Sequence, residues 1–170
     1  MKILIIHATA GAGHSKAAEA IFNGIKKHTT HDVRCLDILD YTSPFYKNFY
    51  PKIYALLISR FSWAWGFFFW VADLPCLLPL VQRVRRLFNG QSAKAFHQFL
   101  EQENADYIFT THFFSNEVAS ALKEQKKITS KLVCVVTDYD VHSIWLAKNV
   151  DYYAVACDYT KDKLKSFGVM

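Results

Sequence analysis

The residues best equipped for chemistry fall in two short stretches of a 170-residue chain. The first, Thr9-Ala10-Gly11-Ala12-Gly13-His14-Ser15, places a histidine directly after two alternate glycines. An imidazole titrates close to neutral pH and can take a proton there. Glycine permits positive φ and lets a ligand approach the backbone, while the free N–H groups of a helix start attract anionic oxygen. The turn therefore predicts a phosphate-compatible surface over Gly11, Ala12 and Gly13. It also predicts a neutral imidazole at His14, because the positive end of a helix dipole disfavours the imidazolium. A histidine that merely occupies a tolerated cap position fits the same pattern, and the residues alone leave both readings open. Neither nucleotide motif is complete. Lys16 stands where the third glycine of G-x-G-x-x-G belongs, and no G-K-[ST] is present.

The second stretch, Thr137-Asp138-Tyr139-Asp140-Val141-His142-Ser143-Ile144-Trp145, bunches polar groups after an apolar run. Asp138 and His142 can orient each other, or Asp138 can cap a helix while His142 sits on a solvated loop. Thr111-His112 repeats the pattern more weakly.

Positioning these groups requires strands that end where they begin. Lys2 to Ala8 is a short run rich in β-branched residues, fitting a strand buried on both faces of a parallel sheet. From His14 to about His28, Ala17, Ala18, Ile21, Phe22 and Ile25 recur at helical spacing. Val33 to Leu36 reads as a second strand. The alternation resumes with a helix over Ser92 to Gln102, a strand over Tyr107 to Thr110, a helix over Asn116 to Lys126 and a strand over Leu132 to Val136. Tyr152 to Ala156 makes a further strand, and a last helix starts near Thr160. Strand and helix in turn predict an α/β fold, a Rossmann-like, doubly wound and mostly parallel sheet. In such sheets ligands bind at the carboxyl ends of the strands, where both chemical stretches fall.

Between Tyr41 and Phe88 the alternation is interrupted by an aromatic-rich insertion holding Trp63, Trp65, Phe67, Phe68 and Trp70. Ile53 to Ala72 has the length of one membrane span, with Arg60 as its only charge. A true span would split one α/β domain across a bilayer and bury Arg60 near the middle of the apolar run, so an interfacial helix or hairpin fits better. Tryptophans favour the headgroup level, and Arg83, Arg85 and Arg86 follow, each worth about 1 kcal/mol beside an anionic leaflet. The competing reading makes these aromatics core or an oligomer interface.

The net charge of +5 favours an anionic partner. Nucleic acid is disfavoured, because the aromatics form one apolar run without interleaved cations and no binding motif is present. The four cysteines are far apart and without metal-ligand spacing, which suits reduced thiols in the cytosol; no metal site is predicted. The amino terminus lacks the apolar stretch of a signal peptide. The length suits one domain over 1–170, and the ending just after a helix leads us to expect a second domain beyond it.

The stretches HATAGAGHSKAAEAI, TTHFFSNEVASAL and VVTDYDVHSIWLAKNVDYYAVA resemble the N-terminal domain of the monogalactosyldiacylglycerol synthase and processive diacylglycerol glucosyltransferase family. The resemblance implies the N-terminal half of a two-domain GT-B glycosyltransferase. This half would hold diacylglycerol on the cytoplasmic face of the cell membrane, bound peripherally to anionic lipids. An absent C-terminal domain would bind the co-substrate, UDP-glucose or UDP-galactose. Transfer would invert the anomeric centre, without a cofactor or catalytic metal. The motif histidine falls on His14 and its glycines on Gly11 and Gly13. Asp138 and His142 match the second motif, Asp138 being the alternative base, and Trp145 is placed to face the lipid. This piece alone is expected to be inactive. The alternative is a free-standing peripheral lipid-binding module.

Overall fold

The computed structural model describes residues 1–9, 12–61, 63, 66–67 and 94–169. Gly11, Trp65, Phe68, Trp70, Arg83, Arg85 and Arg86 lie outside the described residues. Five parallel strands, β1 (Lys2–His7), β2 (Asp32–Asp37), β3 (Tyr107–Thr110), β4 (Lys131–Val135) and β5 (Tyr152–Ala154), form one sheet in the order β2-β1-β3-β4-β5. The helices are α1 (Ala12–His28), α2 (Pro44–Arg60), α3 (Lys94–Glu103), α4 (Phe113–Glu124) and α5 (Asp158–Ser166). Single 3-10 turns lie at Ile38–Tyr41 and Ser143–Trp145.

Side chains of a strand alternate between faces, and β1 buries both. Ile3 and Ile5 join Val33 under Ala18, Ile21, Phe22 and Ile25 of α1. Leu4 and Ile6 face the other way, into a core with Ile108 and Leu132 that Phe96 and Leu100 of α3 and Phe114, Val118 and Leu122 of α4 close. Helices on both faces make the sheet doubly wound, as the alternation of elements predicts. Leu164 of α5 packs with Cys134, Val136, Val141 and Trp145 beyond β4.

Two helices begin earlier than their sequence pattern suggests. α1 starts at Ala12, not His14, so Gly13 lies inside the first turn. Among described glycines only Gly168 has positive φ, so Gly13 makes no use of left-handed freedom. What it provides is room, since a Cβ built there meets nothing within 4 Å. α4 starts at Phe113 because the Nδ1 of His112, a residue outside the usual capping set, accepts the Phe114 N–H at 3.2 Å.

The loop after β4 is braced from α5. Thr160 donates its hydroxyl to the Tyr139 carbonyl at 2.7 Å, and Lys163 pairs with Asp140. α2 leaves Phe49, Ile53 and Leu56 exposed at helical spacing, and Phe61, Trp63 and Phe67 beyond it are also exposed. Among the described residues no helix is long and apolar enough to cross a membrane.

Candidate active site

In the order β2-β1-β3 the chain reverses its winding direction between β1 and β3, and the crevice at that point is where open α/β sheets bind ligands. The first turn of α1 enters it from β1, and Thr111 and His112 enter from β3. Thr111 is anchored by its N–H to the Ile6 carbonyl at 2.9 Å. Its hydroxyl donates to the backbone carbonyl of His14 at 2.9 Å, tying the helix start to the neighbouring strand.

His14 is half-buried here, with Nδ1 2.6 Å from the Thr111 carbonyl and 2.9 Å from the Thr137 hydroxyl at the end of β4. A carbonyl has no proton to give, so the proton of the shorter contact belongs to Nδ1. In the neutral ring Nε2 then carries the lone pair, and His14 is set up to accept a proton on that nitrogen. Burial lowers its pKa below the ordinary 6.5, more than the Thr111 carbonyl and the Asp138 carboxylate raise it, with His7 adding a further lowering. The neutral state expected from the helix dipole thus has desolvation as its leading cause.

His112, almost wholly buried, packs edge-on against His14 with ring centroids 4.7 Å apart. Burial drives its pKa well down, with His14 adding to the effect. Its capping bond to Phe114 uses the Nδ1 lone pair, which suits a neutral ring. Thr111, Thr137 and His112 carry this geometry. The sequence marked Thr111-His112 only as a weak pattern and gave no sign of the contacts that span β3, β4 and α1.

For Asp138 and His142 the sequence left mutual orientation and separate roles open. The Asp138 carboxylate accepts the Trp145 indole N–H at 2.8 Å. His142 precedes the turn Ser143–Trp145 without capping it through its side chain. Trp145, expected to face lipid, is wholly buried, its ring 6.1 Å from His14 and 6.4 Å from Phe113. The Trp145 carbonyl accepts from the Asn116 amide at 3.1 Å, and Asn116 Oδ1 accepts the Thr110 hydroxyl at 3.4 Å. Gly13 and Ala12 are exposed at the mouth of the crevice. A separate hollow of about 710 Å³, walled by Val150, Tyr153, Val155 and Leu164, includes none of these histidines. Among the described residues no three His, Cys, Asp or Glu side chains are grouped to hold a metal ion. Cys35, Cys134 and Cys157 are free thiols.

Comparison with known proteins places the chain among glycolipid-synthesising relatives by sequence. The processive diacylglycerol beta-glucosyltransferase of Bacillus cereus (strain B4264) is 24% identical over 168 residues, covering 99% of this chain and 42% of the relative. That of Bacillus pumilus (strain SAFR-032) is 25% identical over 170 residues, covering 98% of this chain and 42% of the relative. The chain therefore spans less than half the length of these relatives. No solved structure matches it. The sequence model of the monogalactosyldiacylglycerol (MGDG) synthase family matches residues 14–170, so the match begins at His14, and the chain belongs to that family.

Proposed function

We propose that this chain is the acceptor-binding and membrane-facing half of a two-lobed GT-B enzyme that transfers a hexose from a UDP-sugar to diacylglycerol. The observation that carries the reading is the donation of His14 Nδ1–H to the Thr111 carbonyl, which leaves Nε2 as a base at the ligand-binding edge of the sheet. In the transfer, the lipid hydroxyl oxygen bonds to the anomeric carbon while the bond from that carbon to the diphosphate oxygen breaks. In-line attack inverts the centre, the hydroxyl proton goes to His14 Nε2, and UDP leaves. The first turn of α1, whose leading N–H groups have no partner within the helix, and the space above Gly13 face the diphosphate. Asp138 holds the indole of Trp145 and places a negative charge near the imidazolium as it forms.

Two residues can supply the base, His14 or Asp138. The geometry favours His14, because one Asp138 oxygen is already engaged with Trp145. In the two-lobed enzyme carrying this domain, His14→Ala should lower kcat by about 100-fold to 10,000-fold, the usual weight of a general base. Near-normal turnover would remove the proposal, and a larger loss in Asp138→Asn would move the role to Asp138.

The membrane part of the reading is supported by the exposed apolar stripe of α2 and by Trp63 and Phe67. These would lie in the headgroup layer of the cytoplasmic leaflet, with Trp65, Phe68, Trp70 and the arginines Arg83, Arg85 and Arg86 as further contacts. A free-standing lipid-binding module would use the same stripe without catalysis. Sugar transfer by an enzyme containing this chain, abolished by His14→Ala, separates the two.

A further inference from the structure

We infer that Thr137 is a positioning residue for His14: its hydroxyl oxygen, together with the Thr111 carbonyl, holds the ring in the tautomer that leaves Nε2 free. The inference rests on the reading of His14 as the base and adds the groups that keep it usable.

Free histidine prefers its proton on Nε2, the tautomer that could not accept a proton at that nitrogen. Something must reverse the preference, and two oxygens converge on Nδ1 to do so, at 2.6 Å from Thr111 and 2.9 Å from Thr137. Because the Thr111 carbonyl requires the proton to sit on Nδ1, the Thr137 oxygen acts as an acceptor in the second contact. A carbonyl in the backbone cannot be deleted by substitution. Thr137 is the half that chemistry can reach, and it connects the end of β4 to the helix that follows β1.

The two oxygens also matter after proton transfer. The imidazolium keeps Nδ1–H, and both acceptors are already in place, so no group has to turn to meet the new charge. The other titratable groups around the ring are His7 at the end of β1, His112 at the cap of α4 and Asp138 in the loop after β4. A charge on His14 is opposed by His7 and in turn opposes one on His112. Asp138 favours the His14 cation without a hydrogen bond to the ring.

The test uses this chain with ¹⁵N-labelled histidine, in long-range proton–nitrogen spectra. In the wild type, His14 should show a protonated Nδ1 and an unprotonated Nε2. Thr137→Val, close in size to threonine, should move the tautomer balance toward Nε2–H, and Thr137→Ser should restore it. In the two-lobed enzyme, Thr137→Val should lower kcat by about tenfold, the weight of one hydrogen bond, with KM little changed and with recovery in Thr137→Ser. Unchanged His14 nitrogen signals in Thr137→Val would overturn the positioning role. A tautomer shift with undiminished kcat would leave the positioning intact and sink the catalytic reading of His14 instead.

Discussion

At the residue scale the proposed chemistry turns on the protonation of a single ring. His14 has its pKa lowered by burial, so its base form persists to pH values below the ordinary 6.5. The rising limb of kcat/KM against pH should have its midpoint below 6.5 in the two-lobed enzyme. Asp138 favours the imidazolium, so Asp138→Asn removes an influence that raises the pKa and should shift the limb further toward acid. A shift toward alkali would contradict the assigned electrostatics. His112 carries the matching consequence for stability. Its pKa is far lower in the folded chain than in the unfolded one, so below about pH 6.5 the unfolded state binds a proton that the folded state does not. The stability associated with the neutral ring is complete above pH 6.5 and is lost as acidification continues toward the folded pKa. The slope is at most about 1.4 kcal/mol per pH unit for one group. Denaturant titrations between pH 8 and pH 5 should show this loss, and His112→Asn, which keeps a capping acceptor, should flatten it.

Elements bring together what spacing alone cannot. The strand and helix alternation around β1, α1, β3, α4 and β4 was legible because β-branched runs and helical apolar periodicity are local signals. The position of His14 near the start of the first helix was legible for the same reason, whereas the placing of Gly13 inside that helix was not. Nor were the partners of His14, because Thr111 and Thr137 lie 97 and 123 residues away and become neighbours only through the strand order. Asp138 and His142 were grouped by proximity in sequence, and the contact that the turn Ser143–Trp145 makes between the indole and the Asp138 carboxylate was not legible there. Gly13 offers a test at this scale. Its backbone is free of left-handed strain and it sits in a helix, so Gly13→Ala should raise stability by up to about 1 kcal/mol. If ligand approaches the space above it, the same methyl should raise KM, a division between stability and activity that thermal melts and kinetics can read together. Asn116, buried between Thr110 and Trp145, predicts the opposite pattern. Asn116→Ala should cost about 1–3 kcal/mol by leaving buried polar groups unpaired.

For the molecule as a whole, the sheet separates the rim proposed for chemistry from a structural one. The carboxyl ends of the strands carry His14, Thr111, Thr137 and Asp138. At the amino ends, Lys2 and Arg34 both pair with Glu103. The apolar stripe of α2 is the surface proposed to meet the bilayer. Burial of a large apolar side chain is worth about 1.5–3 kcal/mol, so Ile53→Ser together with Leu56→Ser should weaken liposome co-sedimentation by at least about tenfold. Equal pelleting of wild type and variant would remove α2 from the membrane assignment.

The two outer strands of the sheet are unequal. β2 carries Asp32, Arg34 and Asp37 along its length, and charge on a border strand discourages pairing with another copy. β5 is only three residues long and shows Tyr152 and Ala154 to solvent with no charge among them. Of the two borders, β5 is the one through which copies should pair edge to edge, and a lysine in place of Ala154 is the change expected to suppress that pairing.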